Sequence, residues 1–251
     1  MRFAAAIAIL LAASAPSALA AQEALASTVA ATPDLSGLWV VSNRSSRGNL
    51  DENLKELKPA EFLTPAGLEA TARLRPALDP SAQCLPAIPR HIPGPYPIEI
   101  VQRPGRIAML FEWDTVFRVI YTDGRGHPDP EEDQRYMGHA VGHWEGETLV
   151  VDTANFNGKT WLEGSGIPMS TQAHLVERYT LEDDGKSLHV VIRIEDPVYL
   201  SRPVYRNYFF NLRNDWEIKE YLCAEGNRDN VFQQREGQPG ALELDDVIEA
   251  E

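Results

Sequence analysis

From Ile98 onward the chain alternates apolar and polar residues in short segments separated by turn chemistry, and no helical pattern of comparable length interrupts the run. A segment with one apolar face must bury it against others of its kind, so the pattern predicts antiparallel strands. The segments are Ile98–Gln102 and Ile107–Glu112 around Pro104-Gly105, Val116–Thr122 before Asp123-Gly124, and Gly138–Trp144 and Thr148–Thr153 around Glu145-Gly146. They continue as His174–Glu182 and Ser187–Glu195 around Asp184-Gly185, then Val204–Leu212 and Trp216–Cys223 around Asn214-Asp215. An earlier strand is expected in DLSGLWVV, over Leu38–Val41. About ten strands with no dividing linker predict an all-β fold, a single closed antiparallel β-barrel. The barrel domain is expected over residues 34–237.

The opening MRFAAAIAILLAASAPSALA has the basic start, short apolar stretch and small-x-small end of a secretory signal peptide, residues 1–20. Residues 21–33 are small and polar and read as a flexible lead, and residues 238–251 as a frayed acidic tail. A short helical decoration is expected around 49–81, where Thr64 and Pro65 form an N-cap and first-turn signature and the helix runs through Leu68 to Leu74 until Pro76. Cys84–Pro97 is too rich in proline for a helix or central strand and is expected as an extended loop. No later segment reaches the roughly 18 consecutive apolar residues of a spanning helix, so membrane insertion is not expected. The net charge of −14 repels phosphate backbones and argues against nucleic acid as a partner. An exported chain with only Cys84 and Cys223 predicts one disulfide and a periplasmic or secreted protein.

A two-residue turn at Glu145-Gly146 sets His139 opposite Asp152 on one sheet face. A carboxylate there raises the imidazole pKa and fixes its tautomer, which makes His139 a candidate general base; an exposed charge pair is the plain alternative, and a three-residue turn would face Asp152 with Ala140. On a strand, His139 and His143 stand about 13 Å apart at roughly 3.3 Å per residue, too far to share one ion, and no metal is assigned. A metal recruiting one of them with His174 stays open. In hairpin 174–195 the turn pairs Leu181 with Leu188, Tyr179 with Val190, Glu177 with Ile192 and Leu175 with Ile194, leaving Glu177 the only charge on an apolar face. In Trp216–Cys223, Glu220 falls on the apolar side in the same way. A buried carboxylate must be paired or carry a raised pKa, and Arg118 in FRVIY is the matching cation, with Arg178 and Arg193 weaker. These groups are either a poised acid–base set or a Glu–Arg network that fixes strand register. Glu112, Trp113, Tyr121, Tyr136, His143, His174 and Tyr179 would line an interior suited to a flat, partly apolar small molecule. No phosphate loop, dinucleotide fingerprint, nucleophile elbow or paired CxxC is present, so no cofactor is expected.

The stretches DLSGLW, IEIVQRPGRIAMLFE, VIYTDGRGHP, GHWEGETLVVDTANFN, ERY and EYLCAEGN resemble a widespread family of exported bacterial proteins. The SG-W opening followed by hairpins is more remotely similar to lipocalin-like (calycin) barrels, which implies a container for small apolar ligands. Together these readings lead to a cofactor-independent lyase, dehydratase or isomerase acting on an aromatic or terpenoid compound. His139, oriented by Asp152, is the expected base, Glu177 or Glu220 the acid, and Arg118 the stabiliser of negative charge. The alternative is a non-catalytic lipocalin-like binding protein of the periplasm; a third class, an envelope interaction protein, has a filled core.

Overall fold

A computed structural model of the chain describes residues 32–44, 59–73, 79–163 and 166–223. The expected signal peptide, most of the lead, the acidic tail and the ends of the helical insertion lie outside the described residues. The strands are β1 (Gly37–Val41), β2 (Ile98–Arg103), β3 (Arg106–Phe111), β4 (Val116–Tyr121), β5 (His139–Glu145) and β6 (Thr148–Ala154). They continue with β7 (Trp161–Glu163), β8 (Ile167–Pro168), β9 (His174–Glu182), β10 (Ser187–Glu195) and β11 (Val204–Leu212), and among the described residues one α-helix, α1, spans Pro65–Arg73. Thr64 caps α1 as its sequence position demands, its Oγ1 accepting from the Gly67 N–H at 3.0 Å.

Nine strands close a barrel in the order β1-β11-β10-β9-β6-β5-β4-β3-β2, while β7 and β8 form a separate two-stranded ribbon. An odd ring of strands cannot alternate direction all the way round, so one neighbouring pair must be parallel. That pair is β4 and β5, joined only at Ile120↔Ala140 and Tyr121↔Val141. The expected single closed barrel is present, and every neighbouring pair but this one is antiparallel. Parallel neighbours need a long crossover, and the connection over residues 122–138 supplies it, carrying His127 back across the outer wall.

Two further expectations change with closure. β11 pairs with β1, and β1 with β2, so no free edge remains for another strand. Trp216–Cys223 is therefore not a strand; it lies over the barrel without regular structure, and Glu220 is exposed. The loop after Cys84 is not extended but turn-rich, with backbone hydrogen bonds from His91 N to Ala87 O at 3.0 Å and from Ile92 N to Pro89 O at 3.1 Å. It packs Ile88 and Ile92 onto the barrel core.

Hairpin β9–β10 has the register read from its apolar face, Leu181↔Leu188 through Leu175↔Ile194. The β5–β6 hairpin is shifted by one pair: Glu145 faces Thr148, Val141 faces Asp152 and His139 faces Ala154. Gly146 takes the first central turn position at φ +60°, the place where a two-residue II′ turn needs a glycine, so the turn is Gly146-Glu147 and not Glu145-Gly146. A disulfide joins Cys84 to Cys223 across 139 residues. Among the described residues no helix is long and apolar enough to cross a membrane.

Candidate functional site

Strands β6 and β9 carry polar groups on both faces, and the two faces do different things. Inward, the Arg118 guanidinium grips Glu177 through two donors, Nη1 to Oε2 at 2.8 Å and Nη2 to Oε1 at 2.6 Å. Thr153 donates to Glu177 Oε1 at 2.9 Å and Tyr179 to Oε2 at 2.6 Å. Both ion-pair side chains are removed from solvent, at 2 % and 0 % exposure. Burial works against both charges, but the partner outweighs it, holding Glu177 below the usual carboxylate range and Arg118 above its ordinary value. Both Glu177 oxygens are thus bonded, in the arrangement that the Glu–Arg network reading expects. Among the described residues Trp39, Ile92, Ile98, Met109, Tyr179 and Phe210 border an apolar space the size of about one water molecule.

Outward, three imidazoles and one carboxylate form a line. His127 Nδ1 lies 3.0 Å from His139 Nδ1, and His127 Nε2 lies 2.8 Å from Asp152 Oδ1. His174 Nε2 reaches Asp152 Oδ2 at 2.9 Å, and its Nδ1 stands 3.7 Å from Glu195. Tyr121 stacks on His139 with centroids 5.3 Å apart, and the Arg125 guanidinium covers the Tyr121 ring at 4.0 Å. His139 is buried, whereas Asp152 and His174 are half-exposed.

Hydrogen-bond bookkeeping sets the protons. An ionised carboxylate only accepts, so both imidazoles must donate to Asp152. A neutral His127 that donates through Nε2 must accept at Nδ1, which places the proton of His139 on Nδ1 and leaves His139 Nε2 with a free lone pair. Desolvation, with His127 and Arg135 nearby, holds His139 below the ordinary histidine value. The bond to Asp152 lifts His174 above it. Asp152 stays below the usual carboxylate range because hydrogen bonds from His174 and His127 outweigh its desolvation. Neighbouring groups thus have their proton affinities pushed apart, the arrangement that separates a base from an acid at neutral pH. Among the described residues no group of three or more His, Cys, Asp or Glu is placed to hold a metal ion; the contacts run along a line instead of converging on one point.

The register shift explains why His139 and Asp152 do not touch. They stay on one face, one diagonal apart, and His127 bridges the gap. His127 escaped the sequence reading because it lies on a crossover and has no strand periodicity; the glycines at 124 and 126, which mark the segment as a loop, were the only local signal. The remaining candidates do not join either cluster. His143 is exposed and contacts Glu145 at 3.3 Å. Glu112 accepts from the Lys219 N–H at 2.9 Å, and Trp113 packs on His91 with centroids 4.7 Å apart. Tyr136 is half-buried on the crossover. A second buried pair that the sequence did not reveal, His91 Nε2 with Asp114 Oδ2 at 2.9 Å, sits beneath Trp113.

The outer line has a pH signature. His174, raised above 6.5, contributes stability that is complete below that value and is lost as pH rises through its folded pKa. Asp152, lowered below 3.8, contributes above that value and loses it as pH falls through its folded pKa. The pair is therefore most stabilising between the two. Asp152→Asn is expected to lower the melting temperature more at about pH 5.5 than at about pH 8.5; an equal loss at both would remove the charge pairing. Comparison with protein-family models and with curated proteins finds no match to this chain.

Proposed function

We propose that the protein is an exported, cofactor-independent acid–base catalyst, a lyase, dehydratase or isomerase of small, partly apolar compounds, working on the outer wall of its barrel. One observation carries the reading: His139, His127, Asp152 and His174 stand in one hydrogen-bonded line, with His139, held below the ordinary histidine value, at one end and a half-exposed His174, lifted above it, at the other. His139 Nε2 takes a proton from carbon, and the positive charge that develops is stabilised through His127 to Asp152, as an orienting carboxylate does for a catalytic imidazole. His174 returns a proton to the leaving or rearranging group. Arg118 and Glu177 take no part, since they are bonded to one another behind the sheet. The disulfide supports an oxidising compartment, in keeping with the signal-like opening.

The test is incubation with a panel of small aromatic and terpenoid hydroxy and keto compounds in D2O, followed by mass spectrometry for deuterium uptake or loss of water. Compounds that perturb the His139 and His174 resonances are expected to exchange. His139→Ala and His174→Ala should each slow that exchange by about 10²–10⁴-fold, whereas Glu220→Gln leaves it unchanged. Compounds that bind at these histidines and never exchange, or exchange that survives both substitutions, would overturn the catalytic reading.

A further inference from the structure

The crossover that carries His127 is tied at several points to the end of β6. Where β6 finishes, Asn155 turns into the left-handed region at φ +59°, a conformation that asparagine tolerates better than most residues. It is buried, and its Nδ2 donates to the carbonyl of Pro128 at 3.0 Å, one residue beyond His127. The Asn155 carbonyl accepts from the Arg135 N–H at 3.0 Å, and the Arg135 carbonyl accepts from the Asn157 N–H at 3.0 Å. The later half of the crossover is thereby stitched to the β6 exit through the backbone. The half that contains His127 is held at its start by the Thr122 N–H on the Gly105 carbonyl at 3.0 Å and by the Arg125 guanidinium over the Tyr121 ring at 4.0 Å, and beyond these by the Asn155 amide on Pro128 and the two contacts of the His127 ring itself. Upstream, a Cβ placed on Gly124 or Gly126 would meet nothing within 4 Å, so packing does not confine the loop there.

We propose that Asn155 is a positioning residue for the proposed acid–base site: its side-chain amide clamps Pro128 and so holds His127 between His139 and Asp152. The inference rests on the reading of that site in one respect only, that the placement of His127 matters for proton transfer. Asn155 touches none of the three ionisable partners with its amide; it acts through the loop. Two requirements meet in this residue, a backbone that adopts positive φ and a short side chain with an N–H donor, and asparagine satisfies both.

The experiment compares Asn155→Gly and Asn155→Asp with His127→Ala by following the histidine imidazoles through a pH titration with NMR. Glycine keeps the backbone conformation and removes the amide; aspartate keeps the shape and replaces the donor by an acceptor facing the Pro128 carbonyl. Both are expected to move the His139 titration upward, in the same direction as His127→Ala, because His139 loses the neighbouring imidazole and part of its desolvation. A purely structural asparagine would lower the melting temperature and leave His139 where it is. That result in a folded Asn155→Gly or Asn155→Asp protein, alongside a moved His139 in His127→Ala, overturns the proposal. The titration needs no substrate, so it separates the two ideas: a moved His139 with no deuterium exchange in the parent protein keeps the clamp and removes the catalyst, and the reverse outcome does the opposite.

Discussion

Replacing Arg118 with methionine is expected to destabilise the protein by about 3–5 kcal/mol, the cost of stranding a buried carboxylate without its counter-ion. At about 2–4 °C per kcal/mol for a chain of this size, the melting temperature falls by roughly 6–20 °C. The argument rests on burial: Glu177 has no exposed surface, and its three bonding partners are Arg118, Thr153 and Tyr179. Removing the arginine leaves two neutral donors facing a full negative charge. Glu177→Gln should cost a comparable amount, because it strands Arg118, whose Nε already has no partner. The paired replacement of Arg118 by Met and Glu177 by Leu should recover much of the loss, since an apolar pair of similar volume needs no desolvation to be overcome. Thermal denaturation of the three variants is the measurement. If the single substitutions are as stable as the parent, the ion pair is not the structural tie described above. Slowed exchange with an unchanged melting temperature would return these residues to the catalytic set.

Opening the disulfide is the second large effect. The bridge closes 139 residues, and a chain-entropy estimate for a loop of that order gives an upper value of about 5 kcal/mol, with about 2–4 kcal/mol typical. Cys84→Ser with Cys223→Ser is expected to shift the denaturant midpoint by a corresponding amount while the barrel still closes, because β1–β11 and β1–β2 pairing does not depend on the bridge. The local consequence is sharper than the global one. Residues 216–223 have no strand partner, and the contacts that hold them besides the bridge include Arg213 over the Trp216 ring at 4.0 Å, Glu112 on the Lys219 N–H, Thr115 on the Tyr221 N–H at 3.2 Å and Tyr96 against the Tyr221 ring at 5.0 Å. Hydrogen exchange should accelerate there first, ahead of β9 and β10. Uniform acceleration through the barrel would mean that the bridge stabilises only through the unfolded chain.

Much of the fold was legible because strand periodicity is a local property. In β9 and β10 every second residue is apolar except Glu177, so one register alone keeps both faces consistent, and the pairing Glu177↔Ile192 followed without coordinates. The inward direction of Glu177 was accessible for the same reason, while Arg118 was named only as a matching cation and the disulfide followed from there being two cysteines. The β5–β6 register was not, since Glu145-Gly146 and Gly146-Glu147 are both plausible turns and the two choices differ by one pair while leaving the same residues on each face. That is why His139 and Asp152 were placed on the correct face and in the wrong contact.

What the amino-acid order determined, then, was the segments that form the nine barrel strands, the side chains that β9 and β10 turn inward, and the pairing of the two cysteines. Only the closed barrel decided the rest. Closing nine strands forces one parallel pair, the parallel pair forces a long crossover, and the crossover delivers His127 to the outer wall beside Asp152. Closure likewise removes the edge on which residues 216–223 would have formed another strand, and so turns Glu220 out into solvent. These outcomes depend on the number of strands that meet around a ring, a property of the whole assembly that no stretch of sequence carries by itself.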